Sequence, residues 1–468
     1  MDCLLLILTI LKTNKNIYMR KIFFSILISG LFLTAVSQET VLPAAAQKGT
    51  MYIKNATIHV GNGTVINNGV IQIKDGKIEK VGSDIVVPAG AKAIDANGKH
   101  VYPGVILPVS NLGLVEISAV RASSDVREIG DMNPNVRSIV AYNTDSKVIN
   151  TLRSQGVLLA NIVPQGSFLA GSSSVVQLDA WNYQDAAYKT DAGMHLYMPT
   201  LMPRPDFGRF GGGGGGRFGP QQGNQTDPVK EGLNKIEELK TFFNEAKAYF
   251  AEGTHAQTNL KFEAVKGLFD KTQKFYVHGN TVRQMLIALD FVKQFNFDVV
   301  IVGGSDSWQI ADLLKQHNVS VVLQQMHSLP TADDDAVDQP YKAAAALQKA
   351  GVVFSISDDD PQTRGKNILF NAGTAATYGL TKEEALQSIT LNAAKILGVA
   401  DKTGSIEAGK DANIVISEGD IMDMRTSKVT TALIQGREVD LTDKHKLLND
   451  RFNKKYNIKQ PTTPAKPF

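Results

Sequence analysis

Short apolar runs typical of buried strands recur along the middle of the chain, and helical patterns lie between several of them. The runs are Val157 to Val163, Phe275 to Val277, Val299 to Val302, Val319 to Leu323 and Val352 to Ile356. Strands that are buried on both faces have this nearly continuous apolar composition, which is typical of parallel sheets. Alternation of strands and helices over about 300 residues predicts an α/β domain, either a barrel or a doubly wound sheet.

Capping boxes mark the beginnings of two helices in this region. Thr281 to Gln284 and Thr381 to Glu384 both place a threonine three residues before a Gln or Glu, so that side chains can satisfy the first free N–H groups of a helix. A third helix is predicted over Val229 to Tyr249, with apolar residues on one face.

Both ends of the chain instead contain short β runs separated by glycine. Asp75-Gly76 lies between alternating apolar residues, which predicts a hairpin turn. After Leu397 the pattern returns to β-like runs, from Ala412 to Ile416 and from Thr430 to Ile434. The sequence therefore predicts a small β module near the start of the chain and further β structure near its end.

Composition excludes several classes of function. The chain has 468 residues and a formal net charge of +3, and nucleic-acid binding requires a concentrated basic face. The one basic cluster, Lys444 to Lys459, is predicted to be a solvated C-terminal tail. Cys3 is the single cysteine and lies in a segment expected to be removed, which excludes disulfides, zinc knuckles, iron–sulfur clusters and a cysteine nucleophile.

A secretory signal peptide is predicted from Met19 onward. Arg20 and Lys21 precede an apolar run from Ile22 to Ala35, and the small residues Ala35-Val36-Ser37 form a cleavage site. Residues 1–18 are interpreted as a mis-called start, and an uncleaved anchor is the alternative to cleavage. We therefore expect a periplasmic or secreted protein, not a lipoprotein, that has no membrane segment after cleavage of residues 1–37.

A glycine-rich stretch interrupts the α/β pattern at residues 204–226. It contains Gly211 to Gly216, flanked by Arg, Phe, Gln and Pro. Such a composition cannot bury enough apolar surface to order itself, which predicts a disordered insertion.

Six segments carry a family resemblance: Ile53 to Ile58, Asp75 to Gly82, Asp95 to Lys99, Tyr102 to Ile106, Thr390 to Gly398, and Gly404 to Asn413. They resemble the amidohydrolase superfamily, in particular its imidazolonepropionase-like branch. The resemblance covers roughly residues 51–440 and implies a (β/α)8 TIM barrel beside a β-sandwich formed from both chain ends. The expected boundaries are 50–102 and 399–440 for the sandwich, 103–398 for the barrel, and 441–468 for the tail.

The resemblance also implies a divalent metal at the C-terminal mouth of the barrel, where it activates a water molecule. Position by position, His278 and Asp359 match the metal-ligand pattern of the family, with Asp359 also as the proton acceptor. Val109, Asn111 and Gly303 stand where the family has histidines, and we find no convincing bridging lysine or glutamate. A catalytic zinc usually takes three protein ligands, so we expect one weakly held Zn, Mn or Fe ion, or none.

Other interpretations of these residues stay open. His278 is alternatively a hydrogen-bonded core histidine, and Asp358 to Asp360 are a solvated loop that caps a helix. Asp333 to Asp335 are expected to form a surface turn, since they lack the glycine and the spaced oxygen ligands of a calcium loop. His327 is expected near the mouth without acting as a ligand. The remaining histidines have no spacing that suggests a site: His59, His100, His195, His255, His317 and His445.

Two functional hypotheses follow from the resemblance. The first is an exported hydrolase of carbon–nitrogen bonds other than peptide bonds, with a small-molecule substrate and doubtful metal-dependent turnover. The second is a non-catalytic barrel that binds a ligand or pairs with an active homologue, because a fold does not determine a function. A metal-free hydrolase that uses the carboxylates of Asp358 to Asp360 is a third possibility. A homo-oligomer is compatible with each of them.

Overall fold

The computed structural model describes residues 42–166, 168–202, 227–324, 326–358 and 364–458. The signal-peptide prediction and the glycine-rich insertion therefore lie outside the described residues. The described chain from Pro43 onward belongs to one unit. Elements are numbered below in chain order over these residues.

The two ends of the chain share one sheet. Its N-terminal strands are β1 (Thr50–His59), β2 (Val65–Lys74), β3 (Lys77–Gly82), β4 (Ala93–Asp95) and β5 (His100–Pro103). Its C-terminal strands are β14 (Ile414–Ser417), β15 (Val429–Ile434) and β16 (Arg437–Glu438). The hydrogen-bonded order is β16-β15-β14-β5-β1-β2-β3, with β4 paired to β1. The expected sandwich strands thus form one continuous sheet, in which β14 pairs antiparallel with β5.

This chain-end sheet has a hydrophobic core of its own. Alternate residues of its strands are buried together, including Ile53, Ile58, Ile71, Ile73 and Ile414. The predicted Asp75-Gly76 hairpin joins β2 to β3. Both turn residues have positive φ (48° and 84°), as the tight turn requires.

The barrel strands follow in chain order. They are β6 (Val105–Ser110), β7 (Val157–Ile162), β8 (Leu169–Gln177), β9 (Ala187–Tyr197), β10 (Lys274–Gly279), β11 (Val299–Gly303), β12 (Ser320–Leu323) and β13 (Phe354–Ile356). They are hydrogen-bonded in sequence from β6 to β13. The apolar runs that predicted buried strands coincide with β7, β10, β11, β12 and β13. The barrel is nearly closed, and the Ser357 hydroxyl donates to the Val109 carbonyl at 3.3 Å near its first and last strands.

One barrel strand departs from the (β/α)8 pattern. β8 is antiparallel to both β7 and β9. Only residues 163–168 connect β7 to β8, and a parallel crossover needs about a dozen residues or more. The remaining seven strands are parallel, so their carboxyl ends meet at one mouth.

The helices surround the barrel or follow it. They are α1 (Lys147–Arg153), α2 (Tyr183–Ala186), α3 (Pro228–Glu252), α4 (Leu260–Phe269), α5 (Val282–Phe295), α6 (Ala311–Gln316), α7 (Gln339–Ala350), α8 (Ile368–Thr377), α9 (Lys382–Ile389), α10 (Leu391–Leu397) and α11 (Lys444–Tyr456). Both predicted capping boxes are present, at the first turns of α5 and α9. No helix within the described ranges is long and apolar enough to cross a membrane.

The basic C-terminal segment is helical over α11, and the helix has no buried residue. Its exposure agrees with the expectation of a solvated tail, although the helix itself was not expected. Residues 459–468 lie outside the described chain.

Candidate functional site

The mouth of the barrel collects three positions that the family resemblance singled out, His278, Gly303 and Asn111, together with Asp358 and His327. His278 lies in β10, Gly303 ends β11, and Asn111 directly follows β6. Asp358 follows β13, and His327 comes after β12. Because parallel strands end at the same edge, these residues lie around one opening, where barrels of this class carry their sites.

His278 is held between two neighbours. Its Nε2 lies 2.9 Å from Nδ1 of His195, and its ring stacks on Tyr197 with centroids 4.0 Å apart. Burial lowers the pKa of His278 to about 3. The imidazole is therefore neutral at physiological pH, and one of its nitrogens is already in a hydrogen bond.

His195, which the sequence did not single out, completes this pair. It is fully buried in β9, and its Nε2 contacts the Ser173 hydroxyl at 2.8 Å. Burial first, and then the nearby His278, lower its pKa well below the usual value. The pairing of β9 with β10 places His195 opposite Tyr276. Side-chain alternation along β9 and β10 is only a weak indication that His195 and His278 point to the same side. The register between the two strands is what brings the two rings together.

The β6 edge of the mouth offers little to a metal. Val109 is buried and apolar. Asn111 is also buried, and its side-chain oxygen has no hydrogen-bond partner among the described residues. A buried amide oxygen without a partner costs free energy unless water or a ligand donates to it.

Gly303 cannot simply be exchanged for the expected histidine. Its φ is +97°, and a Cβ built on it would overlap the side-chain oxygen of Asn280. That oxygen already accepts a hydrogen bond from Ser305 at 3.2 Å. The local backbone is therefore adapted to glycine at this position.

The aspartate cluster after β13 is described only in part. Asp359, the expected proton acceptor, and Asp360 lie outside the described residues. Asp358 is buried and accepts from Arg364 at 3.1 Å and from Asn371 at 3.2 Å. It is therefore part of a hydrogen-bonded ion pair rather than a fully solvated loop.

A cleft of about 600 Å³ opens beside this ion pair. Asp358, Arg364, Asn371 and His327 supply polar lining, and Phe370 is among its apolar lining. His327 lies 2.8 Å from the Thr374 hydroxyl.

A second cavity of about 600 Å³ shares His327, Phe370 and Met424 with this cleft and extends along α8. The polar groups at the barrel end and the apolar surface along α8 suit a small molecule with both kinds of group. Away from both cavities, Asp333 and Asp334 are exposed within a turn region, as expected.

The donor set of the described residues does not fit the metal centre of the family. Valine and glycine at two expected positions carry no ligand atom, and asparagine supplies a weak one. Within the described ranges, no group of three or more His, Cys, Asp or Glu side chains is arranged to hold a metal ion. His278 has His195 beside it, but the His195 ring is fully buried and both of its nitrogens already have hydrogen-bond partners, so this pair is not open to an ion with its waters.

Comparison with known families and proteins agrees with this architecture. The model of the amidohydrolase family matches residues 232–442. An imidazolonepropionase of Mesorhizobium japonicum is 40% identical over 372 residues, covering 75% of this chain and 87% of that protein. An imidazolonepropionase of Thermoplasma volcanium is 41% identical over 87 residues, which are 18% of this chain but only 22% of that protein.

A solved structure shows the same fold. The crystal structure of an amidohydrolase from Thermotoga maritima superposes with a TM-score of 0.70 at 25% identity and covers 83% of this chain and 99% of that one. Both this fold and the long alignment to the Mesorhizobium protein extend well beyond the region matched by the family model. The chain belongs to the amidohydrolase superfamily, in its imidazolonepropionase-like branch.

Proposed function

We propose that this chain binds a small molecule at the barrel mouth without hydrolysing it through a metal-bound water. Its relatives are hydrolases of carbon–nitrogen bonds, so a compound of that class, carrying polar and apolar groups, is the expected ligand. The observation that carries the proposal is the backbone of Gly303, whose φ of +97° is a conformation that side chains rarely adopt.

The metal-dependent reaction needs a donor set that these positions do not supply. A catalytic zinc usually has three protein ligands and one open position for water. Val109 and Gly303 have no donor atom, and His278 shares a proton with His195. A histidine at Gly303 would have to adopt a φ of +97°, which side chains rarely do, and to displace the side-chain oxygen of Asn280.

The lining of the cleft supports the binding of a small molecule at the barrel mouth. Arg364, Asp358 and Asn371 line the cleft at the barrel end, where their hydrogen-bonded network presents a polar surface to a ligand. Phe370 and Met424 line both cavities and offer apolar surface. Clefts of this size with a few convergent polar groups are typical of small-molecule sites.

An active hydrolase is the second candidate, and the neutral state of His278 favours it. A histidine must be unprotonated to bind a metal, and the low pKa of His278 meets that condition. In this candidate His278 and Asp359 hold one Zn, Mn or Fe ion weakly, and Asp359 accepts the proton of the attacking water. The metal-free alternative uses the carboxylates of Asp358 to Asp360 instead.

Metal content separates the candidates. The protein is purified without chelators beside His278→Ala, and zinc, manganese and iron are measured by plasma mass spectrometry. We expect the two samples to hold the same amount of metal. Near-stoichiometric metal that is lost in His278→Ala would overturn the proposal and justify a screen of amide and lactam substrates, with Asp359→Asn as the test of proton transfer.

The compartment and the partner belong to the same proposal. We propose export to the periplasm or the medium, and assembly with a second copy or with an active homologue. Terminal sequencing of the protein from its native cells tests the cleavage after Ser37. Co-purification with a homologue that survives Asp359→Asn would support a partner role.

A further inference from the structure

A second histidine cluster lies on the chain-end sheet. His59 ends β1 and His100 begins β5, next to it in the sheet. His59 Nε2 and His100 Nδ1 are 3.0 Å apart. These two residues belong to the chain-end sheet, whereas His278 belongs to a strand of the barrel.

Glu383 in the first turn of α9 orients His59. Its Oε1 lies 2.7 Å from His59 Nδ1, and the His59 ring stacks on Tyr102 with centroids 4.5 Å apart and planes 10° from parallel. The Nδ1–H of His59 donates a hydrogen bond to this carboxylate, so Nε2 carries the lone pair and accepts from the Nδ1–H of His100. Carboxylate–histidine arrangements of this kind orient the histidine ligands of metal ions.

The spacing of the two rings suits a shared cation. With metal–nitrogen bonds of about 2.0–2.1 Å, adjacent ligand nitrogens lie about 2.9 Å apart at a right angle and about 3.4 Å apart at the tetrahedral angle. The observed 3.0 Å falls in this range. His100 must move its ring proton from Nδ1 to Nε2, so binding changes a tautomer and leaves the net charge of the rings unchanged.

The surrounding charge is compatible with a cation. The second oxygen of Glu383 is buried and has no hydrogen-bond partner among the described residues. Asp420 acts electrostatically on His100. The nearby Lys382 is paired with Asp420 at 2.7 Å, which offsets the positive charge of its ammonium.

We propose that His59 and His100 form a two-histidine site for a first-row divalent cation of the zinc or nickel type. Glu383 is its positioning residue, and water completes the coordination, because both rings are only partly buried. Imidazole nitrogen is a preferred ligand of these ions. The two histidines would bind the cation whether or not the barrel mouth is catalytic.

Calorimetric titration of Zn²⁺ and Ni²⁺ into the chelator-stripped protein tests the site. We expect one equivalent in the wild type that is lost in His59→Ala. Glu383→Gln should weaken it about 10–100-fold, as loss of an outer-shell partner does. His445→Ala, at an exposed position of α11, serves as the control and should bind like the wild type.

A purely structural histidine pair predicts other results. The proposal is overturned if His59→Ala binds as much metal as the wild type, or if the wild type binds none. His100→Gln, checked by circular dichroism, replaces His59→Ala if that variant does not fold. In the wild type itself, histidine nitrogen NMR should show His100 changing tautomer on addition of Zn²⁺, which a pair without metal affinity would not do.

Discussion

Two histidines at the barrel mouth, His195 fully buried and His278 half-buried, remain neutral because the fold desolvates them. His278 and His195 share one hydrogen bond, and each ring also stacks on a tyrosine. Desolvation is the largest cause of both lowered pKa values, and the mutual repulsion of the rings adds to that of His195. A charged imidazole at either position would lose hydration, and its hydrogen-bonded neighbour within the pair is another imidazole rather than a carboxylate.

The stability of the protein should therefore depend on pH through His278. Its folded-state pKa of about 3 lies below the ordinary value of 6.5, so the unfolded chain binds a proton that the folded chain does not. The free energy of unfolding should fall as pH drops from 6.5 toward 3, by up to about 1.4 kcal/mol per pH unit for this group.

Urea unfolding at several pH values measures this slope. His278→Gln should have a shallower slope, whereas His445→Gln on the exposed face of α11 should keep that of the wild type. Equal slopes in wild type and His278→Gln would show that the ring is not held neutral by burial.

The backbone conformation of Gly303 should make this position intolerant of a side chain. Gly303→Ala should lower the free energy of unfolding by about 1–3 kcal/mol, because it adds left-handed strain and an overlap with Asn280. Gly409 also has positive φ but no neighbour within 4 Å of an added Cβ. Gly409→Ala is therefore the matched control and should cost less, and Asn280→Gly should reduce the cost at Gly303. An equal loss in the two alanine variants would contradict the overlap.

The first turn of helix α9 links a local sequence motif to a long-range contact. The capping box of α9 is closed in both directions: the Glu384 N–H donates to the Thr381 hydroxyl, and the Thr381 N–H donates to the Glu384 carboxylate at 2.8 Å. The same first turn carries Glu383, whose carboxylate contacts His59 in the chain-end sheet. A local signal thus sets the position of a long-range contact.

Removing this cap should loosen α9. Thr381→Ala should lower the free energy of unfolding by about 1 kcal/mol, the usual cost of losing an N-cap side chain. Thr381→Ser keeps the hydroxyl and should lose much less. Urea unfolding measures both, and an unchanged midpoint for the alanine variant would show that tertiary contacts alone hold the helix start.

At the scale of the whole molecule, one buried carboxylate joins distant parts of the chain. Asp179 is 3% exposed and accepts from Arg153 at 3.0 Å and from Arg437 at 3.1 Å. It also accepts from the Ala44 backbone N–H at 3.0 Å. It therefore fastens the N-terminal segment and β16 to α1.

Replacing this carboxylate should destabilise the fold as a unit. Asp179→Asn leaves two arginines without their buried counter-charge, so we expect a loss of about 3–5 kcal/mol in the free energy of unfolding. Glu418→Gln removes an exposed ion pair with Lys428 and should change the unfolding midpoint little. Similar midpoints for the two variants would mean that the Asp179 network contributes nothing.

Local patterns were enough to predict much of the architecture. The apolar runs from Val157 to Val163 and from Val299 to Val302 became barrel strands, and Asp75-Gly76 became a hairpin, because burial and turn geometry act over a few residues. Positions at which a metal ligand is absent, Val109 and Gly303, were also readable without coordinates. The reversed strand β8 was not, since its direction depends on the length of its connections rather than on its composition.

The sequence by itself therefore determined several of the barrel strands, the starts of two helices, the family and the identity of the residue at each expected ligand position. Only the tertiary structure decided which side chains meet. His195 and His278 are 83 residues apart, and His59 and Glu383 are 324 apart. Such contacts depend on strand register and on the packing of a helix against a sheet, and a slip of one residue turns a side chain to the opposite face.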